Sequence, residues 1–268
     1  IEFAMTGCGQ VTGVNQKFVK KVQSGDLNGD GRIDFVAAYC DIDGDSTDEY
    51  NLACSVTGSS YLEAFIRDSD GSWSTAWCKS FSGASLYDLL VWDFNNDGNA
   101  EISVTSSRTE LSLFEGASGD LLSKIPWTWL DQNHYDIMDA VISYLDGASP
   151  SIVIKTNRSK TYHAYQFHTD SGQMALTGSF SFDDRIGNHG VTTADIDGDG
   201  REEVIPGTGV FELEPGQAAL SKKWVYDFAD SDMVVPADIR PDIEGLEMFM
   251  AVQGGSKEVT LETGAKIQ

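Results

Sequence analysis

Apolar and polar residues alternate along this chain in short runs bounded by Gly, Asn, Asp and Ser. The four segments "DIMDAVISYL", "SIVIKTN", "TYHAYQFHTD" and "MALTGSFSFD" show the pattern most clearly. β-Branched and aromatic residues dominate these runs, and "HTDSGQ" reads as the turn of a hairpin. Helical periodicity is nearly absent. "SLYDLLVW" is the one short stretch that admits a helix, and it fits a strand better. The pattern predicts an all-β chain.

Groups of four such runs recur, and each group contains a similar acidic loop between its first two strands. "SGDLNGDGRIDFV", "VWDFNNDGNAEISV" and "TADIDGDGREEVIPG" carry it in full, while "ISYLDGASPSIVI" and "PADIRPDIEGLEMFM" are weaker copies. First loop positions at Asp26, Asp93, Tyr144, Asp195 and Asp238 lie 67, 51, 51 and 43 residues apart. Four strands per repeat at such a period imply a β-propeller of five four-stranded blades. The blades fall near 15–80, 86–130, 135–183, 189–230 and 232–268, within one domain spanning 6–268. Residues 1–5 ("IEFAM") read as an added junction ahead of a start near Thr6. The fifth blade stops after its third strand. Either the N-terminal segment supplies the missing strand and closes the ring, or the chain is a piece of a larger propeller.

The loops carry the candidate chemistry. Carboxylates and amides at positions 1, 3 and 5, a backbone carbonyl at 7 and an acid at 9 form an all-oxygen set suited to calcium. In the first loop these are Asp26, Asn28, Asp30, Arg32 (through its carbonyl) and Asp34. In the second they are Asp93, Asn95, Asp97, Asn99 and Glu101, and in the fourth repeat Asp195, Asp197, Asp199, Arg201 and Glu203. Asp41, Asp43 and Asp45 of "DIDGDSTDE" are a further candidate. About three to four structural calcium ions are expected. An EF-hand is excluded, because there is no Glu at position 12 and no flanking helix. An ion here instead cross-links a hairpin, so its binding free energy becomes folding free energy.

Composition agrees with this reading. The chain has 268 residues, 41% of them hydrophobic, and a formal charge of −24 from 42 acidic and 18 basic residues, with the acids clustered in the loops. That balance argues against nucleic acid or an anionic membrane surface as partner. No CxxC pair or zinc spacing surrounds Cys8, Cys40, Cys54 and Cys78, so they read as disulfides of a secreted protein. Their connectivity is open. The sequon Asn157-Arg158-Ser159 also points outside the cell.

The ordered series "GDLNGDGRIDFV", "VWDFNNDGNAEISV", "FEGASGDLL", "SYLDGASPSIVI", "GNHGVTTADIDGDGREEVIPG" and "ADIRPDIEGLEMF" resembles the family 11 rhamnogalacturonan lyases, which are secreted calcium-dependent β-propeller enzymes. Integrin-type FG-GAP repeats use the same loop. The non-metal matches "YLDG.SPS", "GNH" and "GLE" are more specific to the lyases. The resemblance implies a polysaccharide partner, with His189 as a sugar contact or as the base of a β-elimination. Arg185, Asn188, His134 and Tyr135 stand in the loops entering the fourth and third blades. Lys155 and Arg158 form a basic cluster suited to a uronate, or else a solvated hairpin. The family propeller has eight blades and a later Asn-Gly-Thr-Lys segment that this chain does not match. The preferred expectation is therefore a secreted, monomeric, calcium-stabilised propeller that binds a rhamnose- and uronic-acid-containing polysaccharide. The alternative is an active lyase, and a protein-interaction propeller is a third reading.

Overall fold

A computed structural model of the chain describes residues 17–41, 59–82, 86–106, 110–126, 137–156, 161–181, 191–207, 209–215, 217, 219–225, 231–240, 242–252 and 255–260. Among the described residues every regular element is a β-strand. The chain divides into two compact units.

The first unit comprises Ile1–Tyr135 and Thr169–Gln173. It holds two four-stranded antiparallel sheets. In one, β1 (Lys17–Gly25), β2 (Asp34–Asp41), β3 (Ser59–Arg67) and β4 (Trp73–Ser82) lie side by side in chain order. β5 (Leu86–Trp92), β6 (Glu101–Ser106), β7 (Glu110–Phe114) and β8 (Leu121–Pro126) form the other in the same order. The ambiguous "SLYDLLVW" stretch is thus the first strand of the second repeat.

The second unit comprises Asp136–His168 and Met174–Gln268. Its first sheet runs β9 (Ile137–Ser143), β10 (Ser151–Thr156), β11 (Thr161–His168) and β12 (Gln173–Ser181). Next come β13 (Thr192–Ala194), β14 (Glu203–Ile205), β15 (Gly209–Glu212) and β16 (Ser221–Val225). The last sheet shows three strands, β17 (Ser231–Ala237), β18 (Glu247–Val252) and β19 (Gly255–Thr260). Each repeat of the sequence is therefore one sheet. Residues 1–16, the proposed source of a closing strand, lie outside the described residues.

Within each unit, neighbouring sheets pack face to face. In the first, Val36, Ala38, Leu62 and Ala64 meet Leu89, Val91, Ile102 and Val104. In the second, Val153, Tyr162 and Ala164 meet Val204 and Phe211, and Ile205 and Val210 meet Met248 and Met250. Loop position 2 feeds the same cores through Leu27, Leu145 and Ile196, and Phe94 at that position of the second repeat is also buried. In these four repeats the apolar residue anchors the loop to the sheet and offsets part of the cost of gathering carboxylates, whereas Ile239, its counterpart in the fifth, is exposed.

Candidate metal centres

The three complete loops share most of one hydrogen-bond scheme, the fourth repeat differing in that position 4 rather than position 5 donates to the first carboxylate. The carboxylate at position 1 accepts backbone N–H groups from across the turn: Asp26 from Asp30 (3.1 Å) and Gly31 (2.7 Å), Asp93 from Asp97 (3.0 Å) and Gly98 (2.9 Å), Asp195 from Gly198 (2.8 Å) and Gly200 (2.9 Å). The N–H at position 7 donates to the position 5 carboxylate, Arg32 to Asp30 at 2.9 Å, Asn99 to Asp97 at 2.8 Å and Arg201 to Asp199 at 2.9 Å. Position 4 takes a left-handed conformation in all three, at Gly29 (φ 70°), Asn96 (φ 60°) and Gly198 (φ 77°). Gly and Asn are the residues that tolerate it.

Below each turn lies a buried acid at position 9. Its oxygen accepts the N–H of position 2: Leu27 to Asp34 at 3.0 Å, Phe94 to Glu101 at 2.8 Å, Ile196 to Glu203 at 2.9 Å. The fifth repeat keeps this feature where sequence reasoning saw only Asp238, Asp242 and an intervening Arg240. Glu247, 1% exposed, accepts the N–H groups of Ile239 and Arg240, each at 2.9 Å. The loop there is one residue longer. The signal was an acid directly preceding an apolar strand, "GLEMFM" beside "NAEISV" and "REEVIP".

Among the described residues, three acidic sets bring ligand atoms within 4.8 Å of one another: Asp93, Asp97 and Glu101; Asp195, Asp197 and Asp199; and Asp197, Glu203 and Glu212. The second loop is electrostatically the most costly. Burial, with repulsion from Asp97, Glu115 and Asp93, pushes the Glu101 carboxyl up to about 8. Glu115 is also raised, by burial and by Asp97. Carboxylate, amide and carbonyl oxygens with no thiol or imidazole are the donors of a hard divalent cation, and such an ion would relieve this repulsion.

The other loops are partly neutralised from within the chain. In the first, Asp30 pairs with Arg32, whose Nε also donates to the Arg67 carbonyl at 2.9 Å. Both oxygens of Asp34 are taken by backbone N–H groups, those of Leu27 and Arg67. Asp34 therefore ties the loop to the end of β3. In the third repeat Asp146 accepts N–H groups from Ala148 and Ser149 and the Gln166 side chain at 2.9 Å, an Asx-rich turn in which Asp146 has no ion pair among the described residues. In the fifth, Arg240 grips Asp242 at 2.8 and 2.9 Å.

The candidate sugar-contacting residues have a different standing. Lys155 lies on β10, buried, with its Nζ 5.9 Å from the centre of the Tyr162 ring, so it is not part of a solvated hairpin. Arg158, Arg185, Asn188, His189, His134 and Tyr135, with the metal candidates Asp43 and Asp45, lie outside the described residues. Asp41 is the last residue of β2. Cys40 and Cys78 carry no free thiol, and Cys8 and Cys54 fall outside the described residues. Sequence reasoning also missed two carboxylates near the opposite ends of the strands, Asp88 buried and Asp139 half-buried. Asp88 pairs with Lys21, and Asp139 accepts the Val191 N–H at 3.0 Å. Both sit inside apolar runs, where a lone Asp gave no motif.

Fold and loops together define an all-β repeat protein in which each four-stranded sheet opens on a hairpin with an Asp-containing turn. Residues 107–266 match the model of rhamnogalacturonan lyase family 11, C-terminal domain, and the chain belongs to that family. Rhamnogalacturonan endolyase YesW of Bacillus subtilis is 25% identical over 278 aligned positions, which cover 84% of this chain and 42% of that protein. Rhamnogalacturonan exolyase YesX of the same organism is 24% identical over 290 positions, covering 87% and 44%. Among solved structures, the Bacillus licheniformis rhamnogalacturonan lyase PL11 superposes with a TM-score of 0.76 at 21% identity, covering 95% of this chain and 51% of that one. The YesW structure gives 0.75 at 21% identity, covering 94% and 50%. The chain thus spans about half the length of these proteins.

Proposed function

We propose that this chain acts as a rhamnogalacturonan lyase, cleaving a polysaccharide of rhamnose and uronic acid by β-elimination on a calcium-stiffened propeller frame outside the cell. The observation that carries the reading is the family match over residues 107–266, joined by two relatives that are both named as rhamnogalacturonan lyases. It favours cleavage over the binding-only role that the sequence motifs first suggested. One sheet per repeat, with neighbouring sheets stacked within each unit, supports the propeller. The convergent oxygen sets support calcium, and the absence of free thiols at Cys40 and Cys78 supports an oxidising compartment.

Elimination at a uronic acid needs a base at the C5 proton and positive charge beside the adjacent carboxylate. His189 is the candidate base. Arg185 and Arg158 are the candidate carboxylate partners, and Asn188, His134 and Tyr135 are candidate sugar contacts. Bound calcium supplies cross-linking of the hairpins. In a protein of formal charge −24, local cations also make approach of a polyanion feasible.

The test is the ultraviolet absorbance of an unsaturated uronate during incubation with rhamnogalacturonan in calcium, with glycan retention measured on the same sample. Rising absorbance abolished by His189→Ala is expected. Flat absorbance with calcium-dependent retention would overturn cleavage and leave a binding module.

A further inference from the structure

The fourth strand of three sheets carries a bulge at one equivalent place. Pairing skips a residue where Ala64/Phe65, Leu113/Phe114 and Val210/Phe211 face β4, β8 and β16, and the skipped residues are Ala76, Leu122 and Lys223. A bulge re-aims its side chain out of the pleat. The residue after the facing Phe is also equivalent: Ile66, Glu115 and Glu212. The first repeat therefore has neither charge, the second has the extra acid alone, and the fourth has the acid together with a lysine.

The Lys223 ammonium lies 2.7 Å from Asp197, 3.1 Å from Glu212 and 3.5 Å from Glu203. These are the three residues of the inner acidic set of the fourth repeat. Oε1 of Glu203, in a residue with no solvent exposure, accepts no hydrogen bond and is the oxygen of that carboxylate that faces the ammonium. In the second repeat, among the described residues, no Lys or Arg pairs with Asp93, Asp97, Glu101 or Glu115.

We propose that Lys223 is a resident cation of the fourth repeat: it holds Asp197, Glu203 and Glu212 together, so loop 195–203 keeps its fold when divalent ions are withdrawn. In the outer set Asp195, Asp197 and Asp199, Asp199 is in turn paired with Arg201, which leaves Asp195 as the carboxylate there without a cationic partner among the described residues. The inference rests on the loops binding divalent cations and is independent of lyase activity.

Hydrogen exchange by mass spectrometry on the whole chain, with calcium or with chelator, tests it through peptides covering 93–101 and 195–203. In the wild type, chelation is expected to speed exchange of the second loop by about 10-fold or more and to leave the fourth within about 2-fold. Lys223→Met makes the fourth loop as chelator-sensitive as the second, whereas Lys223→Arg keeps it resistant. The reciprocal Leu122→Lys confers resistance on the second loop. Equal opening of both loops in the wild type overturns the proposal, and so does a Lys223→Met variant whose fourth loop is unaffected by chelator. Calcium indifference of both loops instead removes the cation reading on which it rests.

Discussion

The amide of Ala100 donates to the carbonyl of Asp26 at 2.7 Å, joining position 8 of the second loop to position 1 of the first. In the other unit the amide of Glu202 donates to the carbonyl of Tyr144 at 3.1 Å, again position 8 to position 1 of the preceding repeat. Glu202 reinforces the link, because its carboxylate accepts the Tyr144 N–H at 2.9 Å. In these two pairs adjacent loops are fastened by backbone, so an ion ordering one loop would also restrain its neighbour.

Gly116 sits against this junction. A Cβ there would stand 2.0 Å from the Ala100 carbonyl oxygen and 3.0 Å from that of Leu27, both backbone atoms that cannot step aside like a side-chain tip. Its own carbonyl accepts the Trp77 indole N–H at 2.7 Å, which fixes it from the other side. Gly116→Ala is expected to destabilise by about 2–4 kcal/mol. Urea unfolding checks this, with a lowered midpoint and an unchanged slope.

Glu247 separates two roles that an acid can play under a loop. One oxygen accepts two backbone N–H groups and the other accepts no hydrogen bond. Glu247→Ala strands both donors and is expected to cost about 2–3 kcal/mol. Glu247→Gln keeps the accepting oxygen and removes the buried charge, so it should stay within about 1 kcal/mol of the parent. Equal losses in the two variants, read from thermal unfolding, would show that the charge itself is required.

Most of this architecture was legible in the sequence, for a physical reason. Strand runs such as "TYHAYQFH" and turn chemistry such as "DLNGDG" are local, so periodicity and Asx-Gly spacing reveal them. What stayed hidden depended on register. Lys223 shows nothing in "SKKWV" until the bulge opposite Val210 and Phe211 aims it at a loop 20 residues earlier. Glu202, next to the ligand candidate Glu203, makes the inter-repeat contact, which no local motif announces. Asp88 and Asp139 become meaningful only beside Lys21 and Val191.

Lys20 gives a pH signature away from the loops. Its half-buried ammonium donates to the Leu86 carbonyl at 3.3 Å, and burial lowers its pKa to about 8. The unfolded chain keeps this lysine near its ordinary value, so between about pH 8 and 10.5 the unfolded state binds more protons than the folded one. The contribution of Lys20 to stability therefore rises with pH across that window, and the full cost of burying the charge applies below it. Lys20→Met should stabilise the protein at pH 7 by about 1 kcal/mol after allowance for solvent screening. The gain over wild type, followed by chemical denaturation, should shrink toward pH 10.

The second loop provides the sharpest test of cation binding, because Asp97 acts in opposite directions with and without an ion. Without one, Asp97 is an exposed carboxylate whose charge raises the pKa of both Glu101 and Glu115, so it weakens the fold. With a divalent ion bound, the same carboxylate becomes a ligand in the set it forms with Asp93 and Glu101. Asp97→Asn preserves a side-chain oxygen for the Asn99 N–H at 2.8 Å, deletes the charge and gives up the exposed hydrogen bond that the other oxygen accepts from the Asn95 amide at 3.0 Å. In chelator the variant should be more stable than the wild type by about 0.5–1 kcal/mol; in calcium it should be less stable by a similar amount. A mere turn without metal predicts the same sign in both conditions. Thermal unfolding of the two proteins with and without chelator therefore decides whether this loop was built around an ion.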